Sequence, residues 1–172
     1  MGKRQIHNDS RRASRLDTLR ESDRGSVILM GAILDEALRR LHHANLSLLM
    51  AKGNVDTIAE MVFDTKWSDF HCKIEAAKKF ELISETHYKA LEIVRKLRNE
   101  AAHFEFKFTF EDEGVRKQLF ELMDLVCPEL RDVKAGKGKG SFIVLADMLA
   151  TILKRDATNL VEQTSKLGPS HL

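Results

Sequence analysis

Proline and cysteine are scarce in this 172-residue chain, with two of each, and glycine is present only nine times. So few helix breakers leave long stretches free to hold uninterrupted backbone hydrogen bonds. Cys72 and Cys127 lie far apart and form no CxxC pair, which argues against a disulfide framework or a cysteine-based zinc site. Both are expected to be packing residues in a reducing, cytoplasmic setting. No segment approaches the roughly 20 consecutive apolar residues that a membrane span requires. Met1 to Arg20 has no apolar core of the kind a secretory signal carries. A strong charge bias is also missing: the net charge of +2 argues neither for nor against a nucleic-acid partner.

What is present is ordinary for a soluble globular protein: 43% hydrophobic and 31% charged residues, in a length that fits one domain with a sizeable core. The apolar positions recur at helical spacing rather than alternating. The expected fold is all-α, a single-domain helical bundle of about five to seven helices. Residues 1–21 carry six Lys or Arg against three acids and few apolar residues, and read as a flexible, mildly basic arm. Residues 22–166 form the helical domain, and 167–172 a short tail.

Ser22 or Asp23 can cap a first helix. Its stripe of Val27, Met30, Gly31, Leu34, Leu38 and Leu41 runs to about His43, and residues 45–54 either extend it or form a loop that Gly53 ends. Gly31 on an apolar stripe implies the close approach of another helix, since glycine in a helix interior costs about 1 kcal/mol. A short helix over 55–63 follows, then a turn over 64–68 with Trp67 packed on the core. Ser68 or Asp69 caps a helix containing Phe70, Ile74, Ala77 and Phe80. Ser84 caps the next, with Ile83 and Tyr88 placed as a hydrophobic staple and Leu91, Val94, Leu97 and Ala101 on one face. Phe104, Phe106, Phe108 and Phe110 then alternate with polar residues. They predict an extended segment pressing its rings onto the helices, or else an edge that pairs with its copy in a dimer. Thr109 and Asp112 read as a capping box for a helix to Val126, which Pro128 stops. Lys134 to Ser141 is a glycine-lysine loop in the wrong order for a phosphate-binding P-loop. Ser141 is expected to cap a final helix to about Ser165, with Ile143, Ala146, Leu149, Ile152 and Leu153 inward.

The most informative stretch is Arg98-Asn99-Glu100-Ala101-Ala102-His103. A guanidinium can hold a phosphate, and an imidazole can move a proton near neutral pH. With Asn99 to orient them, Arg98 and His103 are the parts of a metal-free ribonuclease site. In an α-helix Asn99 and His103 share a face, but Arg98 and His103 are splayed by about 140°. Both reach one phosphate only if the helix loosens at its end or a second subunit completes the site. The structural alternative is a polar clasp in which Arg98 pairs with Asp23 or another acid of the first helix, while Asn99 and His103 satisfy backbone groups. Solvent exposure separates the two: a catalytic His103 faces a cleft, whereas a clasp His103 is enclosed and hydrogen-bonded.

Other candidates are weaker. His42 and His43 are adjacent and point to different sides of a helix. Glu75 is four residues from His71, but one pair makes no metal site, and none of these histidines is assigned a ligand role. Lys78, Lys79, Lys89, Arg95, Lys96 and Arg98 could form a phosphate-facing patch, diluted by Glu92, Glu100 and Glu105. No pair of short helices offers a helix-turn-helix. No metal and no cofactor are expected.

Several blocks together resemble the MltR-like, or mannitol operon repressor-like, family: Ser22-Asp23-Arg24-Gly25-Ser26, Leu34-Asp35-Glu36-Ala37-Leu38, Phe70 to Ile74, Leu82-Ile83-Ser84 and, most clearly, Ile93 to His103. The resemblance covers about 22–125 and implies a helical fold and a role in transcriptional regulation. Arg98-Asn99 followed by His103 also resembles the R-x4-H motif of HEPN domains, which include metal-independent ribonucleases. That resemblance implies a catalytic Arg98 and His103, with Asn99 as the polar residue after the arginine and two motifs facing each other across a dimer cleft. The leading expectation is a non-enzymatic MltR-like regulatory or interaction module, a homodimer acting through protein partners rather than by reading DNA. The alternative is a HEPN-like metal-independent endoribonuclease using Arg98 and His103 on RNA. Direct DNA repression through the arm and the glycine-lysine loop ranks last, because neither has base-reading geometry.

Overall fold

The computed structural model describes Thr18 and residues 21–63, 69–103, 108–129 and 138–167. Among them are six α-helices and no strand, the expected all-α bundle. The helices are α1 (Asp23–Lys52), α2 (Val55–Phe63), α3 (Phe70–Lys79), α4 (Glu85–Ala102), α5 (Glu113–Val126) and α6 (Lys139–Leu167). Contacts divide the chain into two compact units: Met1–Ala32 with Ile93–Asp147, and Ile33–Glu92 with Met148–Leu172.

Local chemistry sets most helix starts. The Ser22 hydroxyl accepts from the Gly25 amide at 3.0 Å, and Ser84 does the same for His87 at 3.2 Å. Asp69 accepts from the His71 amide at 2.8 Å. Each satisfies one of the four amides a helix N-terminus leaves without an internal partner. α1 continues through the ambiguous 45–52 stretch and stops before Gly53, whose φ of +67° a side chain would resist.

Three expectations need correction. The Thr109–Asp112 box forms only in part: the Thr109 amide donates to Asp112 at 3.3 Å, but Asp112 holds the N-cap position of α5, and the Thr109 hydroxyl accepts from the Glu111 amide and donates to Asp23, both at 3.3 Å. α6 begins at Lys139, two residues before Ser141, where Lys139 donates to the Glu21 carbonyl at 2.8 Å. Neither Cys72 nor Cys127 is fully buried; both are half-exposed thiols. Within the arm assigned to 1–21, Thr18 is buried and its carbonyl accepts from the Ser26 hydroxyl at 2.9 Å. The turn at 64–68 with Trp67, Phe104 and Phe106, most of the glycine-lysine loop, the rest of the arm and most of the C-terminal tail lie outside the described residues.

In the first unit the buried apolar residues include Val27, Met30, Val94, Leu97, Phe110, Leu119, Leu122 and Phe142. Phe110 stacks on Phe142 with ring centroids 5.4 Å apart, and Phe108 meets it edge-on at 5.6 Å. The described part of the phenylalanine run therefore packs its rings inward. In the second unit Leu34, Leu38, Leu41, Met61, Ile74, Leu91 and Leu149 are buried. Each fully buried Leu or Val contributes about 2 kcal/mol, so Leu91, Val94 and Leu97 fix α4 more firmly than any single polar contact at its end.

Candidate functional site

The site is built at the C-terminal end of α4, in the first unit. Ala101 is fully buried and anchors the last turn. α4 ends at Ala102, and the His103 amide bonds back to the Glu100 carbonyl at 3.3 Å, three residues away instead of four. The last turn of α4 therefore tightens rather than loosens, so of the two conditions for Arg98 and His103 to reach one phosphate only a second subunit is left. Its final carbonyls need outside donors. The Arg24 guanidinium, from the first turn of α1, supplies one by donating to the His103 carbonyl.

Arg98 is half-buried one turn earlier. Its aliphatic stem lies against Gly31: a Cβ there would sit 2.7 Å from Arg98 Cδ and 3.3 Å from Cγ. The glycine on the apolar stripe thus makes room for the motif's own arginine. Asp23 accepts from Thr109 Oγ1 and from the Phe110 amide, at 3.3 and 3.2 Å, and stands 3.7 Å from Lys139 Nζ. It ties the start of α1 to the turn before α5 and to the start of α6.

Asn99 and His103 are both exposed. The enclosed clasp expected of these two side chains is therefore not what the structure builds. What is clasped at this point is the backbone of His103, leaving its imidazole and the Asn99 amide on the surface. Arg24 carries that clasp and sequence reasoning missed it: the contact spans 79 residues, and nothing local marks it.

Three of the six residues of the wider basic patch are held in ion pairs. Lys78 and Lys89 both pair with Glu85, at 2.5 and 3.6 Å, and Lys79 pairs with Glu60 at 2.7 Å. Those three lysines lie in the second unit, whereas Arg98 lies in the first.

Of the other histidines, His42 is buried and its Nε2–H donates to the Lys73 carbonyl at 2.9 Å, while neighbouring His43 is exposed. Burial pushes the His42 pKa below 6.5, and the nearby Lys73 and His43 act in the same direction against the favourable carbonyl bond. Lys73 is itself buried and its ammonium donates to Asp35 at 2.8 Å.

No helix among the described residues is long and apolar enough to cross a membrane. Comparison with protein-family models, with curated proteins and with solved structures finds no match for this chain. The class the fold and site define is a helical bundle that exposes an Asn and a His beside a half-buried Arg at one helix end.

Proposed function

We propose that the end of α4 is an RNA-directed site of the HEPN-like kind, a metal-independent endoribonuclease in which His103 handles the proton and Arg98 the phosphate. The observation that carries this reading is the exposure of His103 and Asn99 while the His103 backbone is fixed by Arg24. A side chain kept accessible on an anchored backbone suits catalysis, because the anchor fixes the point from which the ring reaches substrate. In the reaction the ribose 2′-oxygen attacks the adjacent phosphorus and the bond to the 5′-oxygen of the next nucleotide breaks. His103 takes the 2′-OH proton as general base, or protonates the departing 5′-oxygen as its conjugate acid. Arg98 balances charge on the phosphorane, and Asn99 orients His103 or a phosphate oxygen. The products are a 2′,3′-cyclic phosphate and a 5′-hydroxyl. A second copy of the chain, bringing its own Arg98 and His103, supplies the opposing wall and the missing acid or base.

The test is incubation of the pure protein with RNA in excess chelator, followed by analysis of the ends. Cleavage with cyclic phosphate ends, lost in a folded His103→Ala protein, supports the proposal. Intact RNA overturns it.

A second reading is an MltR-like regulatory module, a homodimer that acts through protein partners rather than by reading DNA. It draws on Ile28 and Leu29 of α1 and Val144 of α6, large apolar residues left exposed in the same unit. Ile28→Glu should then weaken self-association or partner binding without lowering the melting temperature. Direct operator binding at physiological salt would contradict it.

A further inference from the structure

The second unit brings together a donor set that the sequence spacing left incomplete. His71 and Glu75 are four residues apart on α3 and share a face. Glu92 reaches them from α4, with its Oε1 3.3 Å from His71 Nδ1. One donor atom from each of the three lies within 4.8 Å of the other two. Around a tetrahedral ion with bonds of 2.0–2.2 Å, neighbouring donors stand about 3.4 Å apart. The His71–Glu92 distance already meets that spacing.

We propose that His71, Glu75 and Glu92 bind a divalent cation of the zinc class, tying α3 to α4. Two carboxylates and an imidazole nitrogen suit a borderline ion such as Zn2+, whereas Ca2+ and Mg2+ call for oxygen donors alone. Three protein ligands leave a fourth position open to water.

Two features outside the donor set support the site. The Tyr88 hydroxyl donates to Glu75 Oε1 at 2.7 Å, the kind of supporting bond that orients a ligating carboxylate. Lys78 of α3 and Lys89 of α4 are both held by Glu85.

This site is separate from the proposed ribonuclease chemistry, which needs no metal. The full-length protein is freed of metal and titrated with Zn2+ alone by calorimetry, and with Co2+ for its visible spectrum. One ion per chain is expected, with a Co2+ spectrum of nitrogen and oxygen ligands and no thiolate charge-transfer band. His71→Ala and Glu92→Gln each weaken Zn2+ binding at least about tenfold, and Tyr88→Phe does so by a smaller factor. Cys72→Ser and His87→Ala leave it unchanged. The His71 side chain is 47% exposed, so its removal leaves a folded protein to measure. Absence of saturable binding, equal affinity in His71→Ala, or loss of binding in Cys72→Ser overturns the proposal.

Discussion

His42 and His103 show two opposite uses of one residue type. His42, in the second unit, is wholly committed to the fold: its ring is buried, Nε2–H meets the Lys73 carbonyl, and Lys73 reaches Asp35. His103, in the first unit, gives only its backbone to the fold, through Arg24, and keeps its ring exposed. Unsatisfied burial of a polar group costs several kcal/mol, and the bond from Nε2–H to the Lys73 carbonyl offsets part of that cost at His42. A side chain left in solvent on a fixed backbone is available for chemistry, and one sealed among partners is not.

The contrast can be broken at its strongest point first. Asp35→Ala should strand the buried Lys73 ammonium and lower unfolding stability by about 2–3 kcal/mol, less than a fully buried pair because Asp35 is partly exposed. Chemical denaturation measures it, and a loss under about 0.5 kcal/mol would show the pair to be a surface contact. The next effect is on pH dependence. The folded state holds His42 neutral below 6.5, where the unfolded chain accepts a proton. Stability from this group is therefore full above 6.5 and declines as pH falls below it. Melting curves of wild type and His42→Gln should diverge least in acid and most near neutral pH; parallel curves would contradict the burial argument.

Much of this contrast was out of reach of sequence reading, for identifiable reasons. The apolar face of α4 was legible from Leu91, Val94, Leu97 and Ala101, all fully buried. So was the cap at Ser84, and those at Ser22 and Asp69 as one of two neighbouring alternatives each, because a cap is a bond between near neighbours. Gly31 announced a close approach, and Arg98 is what approaches. What failed was long-range. Thr109 does pair with Asp112 through its amide, but Asp112 takes the cap position and the Thr109 hydroxyl donates to Asp23, 86 residues away. Arg24 gave no sign of holding residue 103, and His71 with Glu75 gave none of Glu92 on the next helix. The motif itself was legible, but not which of its groups the fold would consume.

Smaller effects sharpen the same comparison. Arg24→Ala should lower stability by about 1 kcal/mol, as expected for one charged hydrogen bond near the surface, by freeing the end of α4. It should also weaken RNA cleavage by loosening His103, and a stability loss with unchanged cleavage would separate the two roles. The smallest effect expected is that of His103→Ala on stability, within about 0.5 kcal/mol, the usual range for an exposed side chain. A loss of 2 kcal/mol or more, about the scale of a removed buried partner, would restore the enclosed clasp.

The most direct measurement compares RNA cleavage by wild type and His103→Ala in excess chelator, alongside their melting temperatures. The account predicts 2′,3′-cyclic phosphate ends from wild type, at least about a hundredfold slower cleavage by the variant, and matching melting curves. Intact RNA with wild type, or equal cleavage by both proteins, would contradict it.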